Sequence, residues 1–128
     1  MLASRSGAGF KTFPEFQRGT EEAINRCCAE VVGRPFDFSY GPFLLNRALV
    51  PPLLEAPGGL GWGWRPYAFG AASRLGYRVE SVEGELHCPP EQREDSPRER
   101  LYRMRQLSQS VEGLLLSTKV DAAHARRP

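Results

Sequence analysis

The sequence predicts a mixed fold, α/β or α+β, with a small mixed sheet packed by about four helices. Three observations carry that expectation. Residues 67–82 read as helix, glycine and strand, the most legible unit in the chain. Two segments, near 20–32 and 97–115, repeat apolar residues at three- and four-residue spacing, as amphipathic helices do. Phe36-Asp37-Phe38-Ser39-Tyr40 alternates aromatic with polar residues, the period of a half-buried strand. With 128 residues, 41% hydrophobic and 25% charged, the composition is globular and the length suits one core.

Taken in order, residues 1–12 carry Ser, Gly and Ala without periodicity and read as a flexible lead-in to a single domain over 13–118. Thr20 is an N-cap candidate for the first helix, with Glu21 and Glu22 in its first turn. Ala23, Ile24, Cys27, Cys28, Val31 and Val32 form its apolar face, and Gly33 and Pro35 end it. Gly41-Pro42 breaks the following strand, and Phe43-Leu44-Leu45 is short enough for a buried one. A short helix over 46–55 must accommodate Pro51-Pro52. The next helix, over 67–75, closes at Gly76, and Tyr77-Arg78-Val79-Glu80-Ser81-Val82 alternates as a strand. The last helix has the clearest start: Ser96 as N-cap, Pro97 first, and Glu99 completing a capping box. Its apolar stripe is Leu101, Met104, Leu107, Val111, Leu114 and Leu115. Residues 119–128 read as a flexible tail.

A net charge of +2 supplies no global field for nucleic acid or membrane surfaces. No run of about 18 apolar residues is present, so no membrane span is expected. The first residues lack the apolar core of a secretory signal. Three cysteines, two of them adjacent at Cys27 and Cys28, disfavour a disulfide framework. Reduced core thiols and a cytoplasmic location are expected.

Gly58-Gly59-Leu60-Gly61-Trp62-Gly63-Trp64-Arg65-Pro66-Tyr67 gathers both tryptophans and four of the thirteen glycines. Glycine lets a ligand approach the main chain, and Trp offers a flat face with one N–H donor. Such a stretch suits sugar rings or nucleobases; it equally suits a turn whose tryptophans fold into the core. His87, flanked by Glu85 and Cys88, offers an imidazole to a divalent metal, although lone loop histidines are more often structural. Arg93, Arg98, Arg100, Arg103 and Arg105 match phosphate oxygens chemically. Their simpler reading is a solvated helix face paired with Glu94, Asp95 and Glu99. No Gly-x-Ser-x-Gly elbow, phosphate-cradling Gly-Lys-Ser/Thr loop or zinc-type cysteine spacing occurs.

Three motifs, Gly41-Pro42-Phe43-Leu44-Leu45-Asn46-Arg47, Gly61-Trp62-Gly63 and Leu75-Gly76-Tyr77-Arg78-Val79, resemble in order the C-terminal part of a family 2 nucleotide-sugar glycosyltransferase with the A-type fold. The likeness extends from about residue 15. It implies that Gly61, Trp62, Gly63, Trp64 and Arg65 line the acceptor side of a sugar-transfer site. It further implies that His87 ligates a divalent Mg or Mn, and that Arg93, Arg98 or Arg100 neutralises the leaving diphosphate. A nucleotide sugar and a glycan or small-molecule acceptor are the partners implied. Two features depart from the family pattern. Trp64-Arg65-Pro66 stands where an acidic residue is common, and Asp-x-Asp, the donor-half metal motif, is absent from the sequence. The expectation is therefore a fragment or degenerate member, inactive alone and an enzyme only when joined to a donor-binding half. The alternatives are a non-catalytic α+β interaction module using exposed Trp and Arg residues, and a small phosphate-ligand binder. An incomplete sheet would leave a bare edge, which points to a homodimer.

Overall fold

A computed structural model describes residues 1–121. Among these the fold is α+β, with two strands and five helices. Strand β1, Leu2–Arg5, runs parallel to β2, Ser81–Gly84, in the register Leu2↔Ser81 to Arg5↔Gly84. On the other side of β1 the chain passes antiparallel at Phe43. There the Ala3 amide donates to the Pro42 carbonyl at 3.0 Å, and the Leu44 amide donates to the Met1 carbonyl at 2.7 Å. Helix α1, Gly7–Phe10, follows β1 and is capped by the Ser6 hydroxyl. Residues 1–12 are thus not a lead-in: Leu2, Ser4 and Arg5 are buried. The pairing partner of β1 lies some eighty residues away, which local periodicity cannot reveal.

Helix α2, Glu15–Val32, starts well over a turn before the expected cap Thr20, with Pro14 in the cap position. It ends at Gly33, whose φ of 83° is the left-handed conformation a helix C-terminus favours. A 3-10 turn at Arg47–Leu49, capped by Asn46, leads into α3, Val50–Leu54. The two prolines are accommodated in the first turn of α3. Helix α4, Trp64–Arg74, is the centre of the molecule, with Pro66, Tyr67, Ala68, Phe69, Gly70, Ala71 and Ala72 all buried. It packs against α2 and against α5, Pro97–Ser117. Cys28 is fully buried beside Ile24, Phe38, Phe69 and Leu75 in the same core.

Two sequence expectations change here. Residues 36–40 form no strand, and of the five only Phe38 is buried. Side chains take the ladder's place: the Phe38 amide donates to Asn25 Oδ1 at 2.8 Å, and its carbonyl accepts from Arg65 Nε at 2.6 Å. The strand expected over 77–82 begins only at Ser81 and continues to Gly84.

The orientation of α5 also differs from expectation. Its start is as expected, the Ser96 hydroxyl accepting from the Glu99 amide at 3.2 Å, while the Glu99 carboxylate turns to Arg103 at 3.0 Å. Four of the six residues of its apolar stripe, however, face outward, while Leu107 and Leu114 turn to the core. Leu101, Met104, Val111 and Leu115 are exposed, whereas Gln106, Ser110, Gly113, Leu114 and Ser117 are buried. Small residues explain the inversion. A methyl group at Gly63 would overlap the Gln109 carbonyl, one at Gly113 would overlap the Gly63 carbonyl, and one at Gly70 would overlap the Ser117 hydroxyl. The backbones of α5 and the α4 segment touch, a contact that larger side chains would prevent.

Beyond α5, Val120 packs against the core, and its carbonyl accepts from Arg74 Nε at 2.8 Å. The rest of the expected tail, 122–128, lies outside the described residues. No helix among the described residues is long and apolar enough to cross a membrane.

Candidate aromatic binding site

Gly61–Gly63 forms a 3-10 turn that runs directly into α4, so the glycine-tryptophan stretch is a helix entrance and not a wide loop. Gly61 adopts a φ of 55°, which a side chain would resist. Gln109 on α5 holds the turn, its Oε1 accepting from the Trp62 amide at 3.1 Å. The indole Nε1 of Trp62 donates to the Tyr102 hydroxyl at 3.0 Å, and the two rings meet edge to face with centroids 6.0 Å apart. Trp62 remains 42% exposed. Trp62, Tyr102, Arg105, Gln109 and Gly61 together line a shallow depression. An aromatic ring with its one polar atom already satisfied, bordered by an amide and a guanidinium, presents a fixed apolar face beside hydrogen-bonding groups.

Trp64 is 39% exposed but lies elsewhere, tilted against Phe43 at 6.1 Å. The two tryptophans therefore do not share a platform through these contacts. Arg65, expected in the acceptor site, is half-buried and structural. Its Nε and Nη1 donate to the carbonyls of Phe38 (2.6 Å) and Gly41 (2.7 Å), and its guanidinium lies over Phe43 and Phe69. Burial lowers its pKa, against the attraction of Asp37 and Cys28. Arg65 thereby ties the 38–43 segment to the central helix.

The arginines expected to meet a diphosphate do not line one pocket. Arg93 folds back onto the Cys88 carbonyl, its Nη2 at 3.2 Å. Arg100 pairs with Asp95, Nε to Oδ1 at 3.1 Å, and lines a groove between α2 and α5. Arg98 borders a separate depression with Glu94, Ser96, Glu99 and Tyr102. Residues two apart on a helix point some 200° apart, so Arg98 and Arg100 diverge. His87 Nε2 stands 3.6 Å from Glu85 Oε1, both side chains largely exposed. Among the described residues no three His, Cys, Asp or Glu side chains gather as a metal site would need.

A second cluster is buried. The guanidinium of Arg5 donates from Nε to Asp37 Oδ2 at 2.7 Å, from Nη2 to Asp37 Oδ1 at 3.0 Å, and from Nη2 to Glu21 Oε2. Phe10, Phe13 and Tyr40 surround it, their centroids 4.6–4.8 Å from Cζ. Nη1 has no hydrogen-bond partner and relies on those ring faces. Burial works against the charge on Arg5, but Asp37 and Glu21 outweigh it and raise its pKa. Burial also pushes Cys28 up, to about 12, with Cys27 adding to the shift and Arg65 opposing it. Cys28 is therefore an inert core thiol at neutral pH.

No protein-family model, curated protein or solved structure matches the chain.

Sequence reasoning placed Arg105 only in a phosphate-matching group and missed its grouping with Tyr102 and Gln109 beside Trp62, although a signal existed. Their spacing of three and four residues places them on one face of α5. It missed Arg5 because residues 1–12 lack periodicity. Glu21 held a clue, standing four residues from Gln17 and three from Ile24 on a face that is otherwise buried.

Proposed function

We propose that this chain is a saccharide-binding module, the acceptor-side portion of a nucleotide-sugar glycosyltransferase, which turns over a sugar nucleotide only when joined to a donor-binding half. The observation that carries the reading is the Trp62 platform. Its indole N–H is committed to Tyr102 and its backbone to Gln109, so the ring is fixed before a ligand arrives. Pre-organisation lowers the entropic cost of binding. The apolar face of a sugar ring stacks on an exposed indole, and its hydroxyls find Gln109 and Arg105 at the rim. The ordered resemblance of three motifs directs this chemistry toward glycosyl acceptors. Arg65, His87 and the Arg93/Arg98/Arg100 group carry no part of the proposal.

Ligand-observed NMR with a panel of neutral oligosaccharides tests it. Saturation transfer from the Trp62 ring to sugar C–H protons is expected. Trp62→Ala should weaken binding at least about tenfold, equivalent to ~1.4 kcal/mol, while Trp64→Ala leaves it near wild type. Equal loss in both variants, or no saccharide signal at millimolar concentration, overturns the reading.

A further inference from the structure

The outer face of α5 is apolar and has no partner among the described residues. Leu101 is 73% exposed and Leu115 61%, with Met104 and Val111 exposed between them. These residues follow a heptad seam: Leu101, Ser108 and Leu115 at the a positions, Met104, Val111 and Thr118 at d. A stripe so regular, opposite a face buried by small and polar residues, is the pattern of a helix packed on both sides.

Charge identifies the second partner. Arg105 and Glu112 flank the seam on one side, at successive e positions, and both are exposed. Neither has an ion-pair partner among the described residues. They are about 10 Å apart along their own helix, too far to pair with each other. We propose that a second copy of this chain covers the stripe, with the two α5 helices antiparallel about a two-fold axis. Setting Met104 against the partner's Leu115, and Ser108 against the partner's Val111, leaves Arg105 about 3 Å along the axis from the partner's Glu112, within reach of its long side chain. The axis makes that pair twice. The small Ser108 near the axis lets the helices approach closely. A parallel arrangement would instead set Arg105 against the partner's Arg100 and Glu112 against the partner's Leu107, leaving both charges unmatched. The remaining flanking residues, Arg98 and Lys119, are both basic, but Lys119 lies beyond the end of the helix. Arg105 also borders the Trp62 depression, so Leu115→Glu, which leaves that depression untouched, is the variant that tests the dimer apart from the saccharide site.

Sedimentation velocity of the full chain across the micromolar range provides the test. A dimer is expected, and Leu115→Glu, an exposed position where folding is not at stake, should weaken it at least tenfold. Arg105→Glu should weaken it less, and the double exchange Arg105→Glu with Glu112→Arg should restore wild-type association. Circular dichroism verifies that each variant is folded. A monomer at every concentration overturns the proposal. So does a dimer indifferent to Leu115→Glu, or one that the double exchange fails to restore.

Discussion

A guanidinium removed from water costs several kcal/mol unless its donors are met, and the Arg5 side chain has no solvent exposure. Asp37 meets most of that need. It accepts from the Arg5 amide at 3.0 Å as well as from Nε and Nη2, and Asn25 Nδ2 donates to it at 3.0 Å. Burial by itself would raise the Asp37 pKa, but the hydrogen bonds and charge of Arg5 prevail and hold it below the usual carboxylate range. The folded state therefore binds this proton less readily than the unfolded chain. The resulting stability is fully present above about pH 4 and is lost as the pH falls below it. Asp37→Asn is expected to cost ~3 kcal/mol at pH 7, because it leaves Arg5 short of a counter-charge. The gap from wild type should narrow as the pH approaches 3, which urea denaturation at a series of pH values measures. A gap independent of pH would show that Asp37 contributes through packing alone. Glu21 was read as a first-turn carboxylate; only with the helix beginning at Glu15 does it become a buried position that needs a partner. Which arginine answers it was not legible, because Arg5 and Glu21 meet only in three dimensions.

Among the elements, the helix ends were the features best read from sequence. Ser96, Pro97, Gly33 and Gly76 act on backbone within one turn, so their chemistry is local and visible in order. The facing of α5 was not readable in that way. Apolar periodicity identifies a helix with two unlike faces, but it does not say which face the rest of the chain covers. Gly63, Gly70, Gly113 and Ser117 decided the matter by permitting backbone contact that Leu and Met would block. Gly63→Ala is accordingly expected to destabilise the fold by ~1–3 kcal/mol, since the methyl meets a carbonyl that cannot rotate away. The same substitution at Gly58, where nothing lies within 4 Å, should be close to neutral. Thermal denaturation of the two variants decides between a steric role for Gly63 and a general preference for glycine in this stretch. The Trp62 depression divides in the same way: composition drew attention to the tryptophan, while its supports on α5 lie forty and forty-seven residues further along the chain.

For the molecule as a whole, the α+β class was legible and the sheet was not. Two helices and a helix-Gly-strand unit were enough for the class. The strand that completes the sheet was hidden in four residues, Leu2-Ala3-Ser4-Arg5, that show no alternation of their own. That strand lies between β2 on one side and the chain at Phe43 on the other, and it also delivers Arg5 to its carboxylates. Removing residues 1–5 is therefore expected to abolish the cooperative thermal transition, not merely to lower its midpoint. A truncated chain that still melts cooperatively near the wild-type temperature would return this segment to the status of a lead-in.

The parallel register Leu2↔Ser81 also constrains time. Helices α2, α4 and α5 close contacts within themselves in microseconds or less, but β1 has no partner until the chain has reached residue 81 and turned back. The first strand synthesised is thus among the last to be seated. Until then Arg5 remains hydrated, with Glu21 and Asp37 facing water instead of a cation. Docking of β1 is the step that dehydrates Arg5 and its carboxylates, so a long-range pairing and the desolvation of three charges fall on the same event.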